Sequence, residues 1–336
     1  MSALAPTASP GPGAGLRSRL AGLARRDTWV FALWGLLVLL LILTKIIRPN
    51  YGPFDLGSLA IAALPVAFAA AAQAVVVISG GIDLSIGSVM ALTSVVAARL
   101  MTDTTEEFAI LVVIGVIVLG ALIGLVNGVL VVASRVPDIV VTLAMLYVWA
   151  GVALIVLDRP GGSVADWLRQ LTRGPFLVEW IPRALVLLIV AVVIVWIPLR
   201  RSRLGLSIYA IGSDRLAAFR SGVDVDRTRV AAYTIAGLFG ALGGLSLTMT
   251  TGIGTPTPGP YTLLSVAAIV LGGVSLSGGQ GGLVGPVVAV FVLRLINADL
   301  AFLGVDPNFS TVIQGAIMVV VVMLGAYVTL RRGRTA

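Results

Sequence analysis

An all-α, polytopic integral membrane protein of about ten transmembrane segments, with glycine-interrupted helices and both termini cytoplasmic, is the fold class that the 336-residue sequence predicts. Three observations carry it. The chain is 58% hydrophobic and 11% charged, with a mean hydropathy of +1.07, whereas roughly one-quarter of the residues of soluble domains are charged. Apolar runs recur along the whole length, most of them near the roughly 20 residues that a bilayer crossing needs. Basic residues are divided unevenly between the connections, as the positive-inside rule requires.

The elements follow in order. Residues 1–27, rich in Ala, Gly, Pro and Ser with Arg17, Arg19, Arg25 and Arg26, hold no apolar run long enough for a signal peptide and read as a flexible cytoplasmic tail. The transmembrane domain, 28–330, carries runs at 28–47, 59–78, 86–101, 108–133, 137–157, 183–199, 230–250, 262–274, 283–299 and 310–328, and 331–336 form a second cytoplasmic tail. With the first tail inside, alternation puts 15 of the 23 Lys and Arg residues on the inner side, 7 on the outer side and Arg294 within the ninth run. The formal charge of +8 is thereby explained by topology, and no nucleic acid is needed. Histidine and cysteine are both absent, which removes thiolate chemistry, disulfides and zinc sites. No catalytic residue, metal ligand or cofactor is expected.

Two runs break at glycines. The second ends in 79-SGGIDLSIGS-88 and the eighth in 272-GGVSLSGGQGG-282, sharing Gly-Gly-[Ile/Val]-x-Leu-Ser at an offset of 192 residues. Unwound backbone at membrane depth survives only where protein buries it or a water-filled cavity receives it. Glycine-interrupted segments in corresponding positions of two halves therefore point to a transport site. The string Leu276-Ser277-Gly278-Gly279-Gln280 also spells the signature of ATP-binding cassette ATPases. Those enzymes need a glycine loop ending in Gly-Lys-Ser/Thr, and the single lysine, Lys45, stands in a Thr-Lys-Ile-Ile context. The spelling is a coincidence: its glycines permit turns and close helix approach, and Ser277 or Gln280 is expected to cap the helix starting near Leu283.

Charged residues near these runs have two readings each. Asp83 either marks the substrate path, as a carboxylate beside long apolar segments suggests, or, with Ser85, N-caps the helix from Ile86 to Leu100; the two are compatible. Arg294 either faces a hydrated cavity or pairs with an acid such as Asp299, or its long stem snorkels to the headgroups. The 200–229 connection mixes seven arginines with an apolar periodicity at Leu206, Ala210, Ala217 and Ala218. It reads as short amphipathic helices docking on a cytoplasmic partner, or as a topology anchor at the headgroups.

These residues resemble the permease subunits of ribose-type sugar importers of the ATP-binding cassette class, from about Leu59 to Val328. The markers are 80-GGIDLSIGS-88, 136-VPDIVVTLAML-146, 209-YAIGSDRLAAFRSGV-223 and 270-VLGGVSLSGGQG-281, four stretches in the family's order. The resemblance implies a chain without its own ATPase, paired as a dimer over two cytoplasmic ATPase domains and fed by an extracytoplasmic binding protein at the bacterial inner membrane. The two glycine breaks and the polar residues of the neighbouring runs place the expected substrate pathway at Gly80, Gly81, Asp83, Ser85, Gly87, Gly272, Gly273, Ser275, Ser277, Arg294 and Asn297. The resemblance implies an ATPase-coupling surface at Gly205, Tyr209, Gly212, Asp214, Ala217, Ala218 and Gly222. Three departures stand out: Leu216 where importer permeases carry an acid before Ala-Ala-x-x-x-Gly, 261-YTLLSVAA-268 without the usual acid, and Arg294 where a small residue is common. The implied function is translocation of a monosaccharide or related polyol. A branched-chain amino acid or nucleoside permease of the same class is an alternative. A self-sufficient secondary carrier would place more ionisable groups in its helices, and an intramembrane enzyme would need a nucleophile–base pair or metal ligands.

Overall fold

The computed structural model describes residues 14–306, 308–317, 319, 320 and 323. Twelve helices are named among them: α1 Ala14–Ile47, α2 Pro53–Ile78, α3 Ile86–Leu100, α4 Glu106–Ser134, α5 Asp138–Val156, α6 Asp166–Gln170, α7 Arg183–Arg201, α8 Arg203–Ser213, α9 Arg215–Arg220, α10 Val225–Thr251, α11 Tyr261–Leu271 and α12 Val284–Phe302. Seven of these are long and apolar enough to cross a membrane, and α3 and α11 are shorter apolar helices. The tenth expected run is helical at 308–317, 319, 320 and 323, and its remainder, like residues 1–13 and the tail 331–336, lies outside the described residues. Helix α1 begins already at Ala14, inside the segment expected as a flexible tail, where Leu, Ala and Arg are all good helix formers.

Burial sorts the helices. The apolar window of α2 is 89% buried, that of α10 67%, and those of α1, α5 and α7 at most 17%. A helix apolar all round belongs at the centre, and α2 has an alanine run, Ala69 to Ala72, that lets neighbours approach its backbone on every side. On α10 the same end is reached with glycine. A Cβ on Gly120 or Gly124 of α4 would overlap α10 backbone, and one on Gly237 would overlap α4. Membrane helices gain little from hydrophobicity against each other, so close backbone packing of this kind holds them together.

The half-helices set the architecture. At about 1.5 Å per residue, α3 and α11 reach about 22 and 16 Å, short of the roughly 30 Å hydrocarbon core. Chain 79–85 climbs back from the end of α2 to the start of α3, and 252–260 descends from the end of α10 to the start of α11. The two starts meet, since Thr262 Oγ1 accepts from Gly87 N at 3.0 Å and lies 3.3 Å from the Leu84 carbonyl. From that level α11 runs to the arginine-rich end of the molecule, and α3 runs to the opposite end, where Ser163 N donates to the Ala98 carbonyl at 3.2 Å. At that opposite end, outside the spans, burial and then the neighbouring Asp55 and Asp299 push the Tyr51 hydroxyl up to about 12.

Candidate functional site

At the arginine-rich end three stretches of backbone converge. Helix α2 closes with Gly80 in the left-handed region at φ +83°, and α11 closes the same way with Gly273 at φ +79°. In both, the residue after the left-handed glycine donates back to the helix, Gly81 N to Val76 O and Val274 N to Ile269 O, each within 3.0 Å. This paired C-cap is the structural repeat. It matches Gly80 with Gly273, one residue out of step with the sequence match of Gly80 with Gly272. Beyond the caps the two breaks diverge. Residues 81–85 are free of helix and climb, whereas 275–282 coil into turns with Gly278, Gly279 and Gly281 all at positive φ.

The breaks touch each other. Gly279 N donates to the Ile78 carbonyl at 2.9 Å, and Gly212 of α8 lies against that bond, so that a Cβ on it would overlap both the Ile78 oxygen and the Gly279 nitrogen. Arg215 Nη2 donates to the Gly80 carbonyl at 3.0 Å and Tyr209 OH to the Gly281 carbonyl at 2.7 Å. Trp29 Nε1 donates to the Leu271 carbonyl at 2.7 Å from the far side. Helices α8 and α9, both breaks and the middle of α1 thus form one junction.

The helices α8 and α9 exist because of their caps. Ser202 accepts from Gly205 N, Asp214 from Leu216 N and Ala217 N, and Asp224 from Arg227 N to start α10. Gly205 is needed for contact with α7, where a Cβ would overlap the Leu199 carbonyl, and Gly222 turns the chain at φ +85°. Of the expected docking pair, Ala217 is exposed but Ala218 is 5% exposed and packs inward. The outward apolar side chains are Leu206, Leu216 and Phe219. A helix of six residues has too few turns for periodicity to assign its faces, which is why Ala218 was misplaced.

The first break is stitched to its surroundings by side chains. Asp83, 3% exposed, accepts from Ser85 N at 2.8 Å and from Ser85 Oγ at 2.6 Å. Asn127 of α4 donates to that Ser85 hydroxyl at 2.8 Å, and Trp149 Nε1 of α5 donates to Asn127 Oδ1 at 3.0 Å. Thr142 of α5 accepts from Leu84 N at 3.1 Å and lies 3.2 Å from the Ile82 carbonyl. Neither Asp83 nor Ser85 caps α3 by side chain: Ser85 sits at φ −85°, ψ −7°, a helical conformation that turns its hydroxyl to Asp83. Likewise Leu283, not Ser277 or Gln280, occupies the N-cap of α12, without a side-chain bond.

Behind this break stands an ion pair that sequence reading missed. Asp138 at the start of α5 pairs with Arg229 of α10, each side chain 13% exposed. Tyr233 OH donates to the second Asp138 oxygen at 2.9 Å and lies 3.4 Å from the Ile82 carbonyl. Gly81 fits between them, where a Cβ would crowd the Asp138 carboxylate and the Tyr233 hydroxyl. The signal was legible as two opposite charges, each at the inner start of an apolar run.

The residues expected on the pathway fall at two levels. Gly80, Gly81, Gly272, Gly273, Ser275 and Ser277 lie at the arginine-rich junction, with Gly273 and Ser277 exposed. Ser85 and Gly87 lie where α3 begins, Arg294 lies near the middle of α12, and Asn297 lies one turn further along it. The α11–α12 hairpin fixes the second level: Gly272 packs on Gly285 at its tip, and Tyr261 on α11 and Arg294 on α12 each stand about ten residues back from the tip. Arg294 and Asp299 do not pair, because they are five residues apart on one helix and project about 140° from each other.

The family model described as branched-chain amino acid transport system / permease component matches residues 56–322. The ribose import permease protein of Bacillus subtilis is 33% identical over 293 residues, 86% of this chain and 90% of that protein. The fructose import permease protein of Rhizobium meliloti is 30% identical, over 77% of this chain and 74% of its own. The autoinducer 2 import system permease protein of Escherichia coli O9:H4 is 30% identical, over 91% and 94%. No solved structure matches the chain.

Proposed function

The chain belongs to the family of branched-chain amino acid transport system permease components, and from that premise we propose how it serves as the membrane-spanning permease of an ATP-binding cassette importer. It is a multi-pass protein of the bacterial inner membrane and no enzyme itself, since ATP is hydrolysed in a separate chain. The cargo we assign is a monosaccharide or related polyol, in line with the ribose and fructose import named for its relatives. An extracytoplasmic binding protein delivers it at the end away from the arginines, and two copies of the permease stand over two ATPase domains.

One observation carries the reading: Gly212 of the coupling helix lies against the hydrogen bond that joins the two glycine breaks. Helices α8 and α9 present Leu206, Leu216 and Phe219 outward, an apolar surface suited to a groove on the ATPase, with the arginines around it giving orientation more than affinity. Behind that surface the backbone of α8 touches both breaks, and the breaks lead to the half-helices that meet at mid-depth. Displacement of α8 by the ATPase is therefore transmitted to both breaks at once, because packed backbone cannot yield without moving its neighbour. The Asp138–Arg229 pair ties the same break to α5 and α10, so the walls of the path move with its floor.

The test is retention of the ATPase. Leu216→Asp or Phe219→Asp would bury an unpaired charge in the interface at a cost of several kcal/mol, and each 1.4 kcal/mol is about tenfold in affinity. Both variants are expected to reach the membrane at normal abundance and to lose the ATPase in co-purification. Equal recovery of the ATPase, together with undiminished uptake, would return 200–229 to a topology anchor.

A further inference from the structure

We infer that Arg294 receives a negatively charged group of the transported solute, so that the cargo is a sugar carrying a carboxylate or a phosphate and not a neutral sugar. The inference rests on the permease reading above and names the substrate class that this site takes.

Depth excludes the headgroups. Arg294 stands ten residues into the nineteen of α12, about 15 Å from one end and 12 Å from the other, farther than an arginine stem reaches to snorkel. Its Nε is buried without a hydrogen-bond partner, and α12 packs beside α11, the helix that starts at Tyr261. A guanidinium stays charged at any physiological pH, and a charge inside the membrane calls for a partner or a hydrated cavity.

The chain itself supplies no counter-charge. The three ion pairs among the described residues are Arg48–Asp55, Arg227–Asp224 and Arg229–Asp138. Seven acids lie within the spanning helices or the first break, and four of them, Asp55, Glu106, Glu107 and Asp226, stand in the first turns of α2, α4 and α10, at the ends of those helices. Asp138 is committed to Arg229, Asp83 accepts from Ser85 and is 3% exposed, and Asp299, 6% exposed, projects to another side of α12. Outside the described side chains the sequence holds one acid, Asp27. It precedes Trp29, which binds the Leu271 carbonyl at the arginine-rich end, the length of α11 away from Tyr261. A second copy of the chain meets the same limit, because it too has no exposed acid at this depth. The missing charge must arrive with something that is not part of the permease.

The surroundings suit an oxyanion. Asn297, one helical turn from Arg294, can donate to an oxyanion through its amide Nδ2, while its Oδ1, buried without a partner, is an acceptor free for a sugar hydroxyl. Helix α11 starts at Tyr261 without a side-chain cap, and its dipole adds to the positive potential on the same side. A planar guanidinium binds carboxylate or phosphate through two parallel hydrogen bonds, whereas a neutral sugar offers hydroxyls that leave the charge uncompensated.

The experiment reconstitutes the complete importer, this chain with its ATPase and binding protein, in proteoliposomes. It measures ATP-driven uptake of labelled neutral sugars, aldonates, uronates and sugar phosphates, each acid paired with its neutral methyl ester. We expect uptake of an aldonate or uronate, or of a sugar phosphate, and the panel decides which oxyanion it is; the methyl ester should be taken up less. Arg294→Gln should lower uptake of the anion by about tenfold or more, the loss of one charge-assisted contact, and Arg294→Lys should retain more of it. Uptake of a neutral sugar at equal rates by wild type and Arg294→Gln overturns the inference and leaves the permease reading intact. Absence of uptake of every sugar and sugar acid overturns the sugar reading on which it rests.

Discussion

Replacing Gly212 by alanine adds one methyl group at the point where both breaks and the coupling helix meet. The new Cβ would overlap the Ile78 carbonyl oxygen and the Gly279 nitrogen, so α8 must shift or the 2.9 Å hydrogen bond between the breaks must open. Overpacking of a tight interior costs about 1–3 kcal/mol, and a buried backbone group left without its partner costs about 1–3 kcal/mol more. Helix propensity returns at most about 1 kcal/mol, the advantage of alanine over glycine in a helix. The net expectation is a loss of about 1–5 kcal/mol. Gly115 of α4 is the internal control, because a Cβ there meets nothing within 4 Å, and the same substitution is neutral or stabilising by up to about 1 kcal/mol. Reversible unfolding of both variants in mixed micelles by titration with sodium dodecyl sulfate measures the difference. Uptake by the reconstituted importer measures its consequence, and Gly212→Ala should keep the ATPase bound while transport falls. If Gly212→Ala and Gly115→Ala are equally stable and equally active, the junction is not a tight backbone contact and the coupling argument fails.

Two further expectations come from the polar network. Asp138→Ala leaves the Arg229 guanidinium unpaired in a site where each side chain is 13% exposed, so it should destabilise by about 3–5 kcal/mol. In the double variant with Arg229→Ala the loss should be well below the sum of the single losses, and strict additivity in the same micelle titration would show that the pair is not coupled. Trp149→Phe removes the donor to Asn127 and should cost about 1–3 kcal/mol; Asn127→Leu, which also removes the donor to Ser85, should cost more, and the double variant should lose less than the sum of the two, so that strict additivity would contradict the network.

Much of the helical layout was legible because a membrane span is written in its composition, and the caps at Ser202, Asp214 and Asp224 are local signals that divide the long connection into helices. Boundaries slipped where a cap extended a helix beyond its apolar run: α10 starts at Val225, five residues before the run begins, because Asp224 holds its first turn. The candidate site was legible in kind and not in detail. Asp83 and Ser85 bond each other as near neighbours, whereas the side chain that ties Ser85 into the fold, Asn127, is 42 residues away and is itself held by Trp149. The Asp138–Arg229 pair spans 91 residues, a separation that no helical spacing rule covers.

The five letters that spell an ATPase signature illustrate the difference between a motif and its physics. In a nucleotide-binding domain such a string is read together with a phosphate loop that this chain lacks. Here Gly278 and Gly279 are required because they adopt φ +85° and φ +68° while side chains and backbone of Ser213 and Gly212 lie against them, where any Cβ would overlap. Glycine answers both demands, positive φ and contact with another backbone, so the string is maintained by the junction and not by catalysis. The same reasoning separates the two breaks. Gly80 and Gly273 close helices in one common way, yet the four-residue climb after Gly81 is held by Thr142, Asn127 and Thr262 from three other helices, whereas 275–282 receives the Tyr209 hydroxyl of α8 on its Gly281 carbonyl. The second break is held chiefly by its own turns and by α8. A displacement of α8 would therefore reach the second break through Tyr209 and Gly279 and the first through Gly212 against Ile78 and Arg215 on Gly80, so both breaks would respond together.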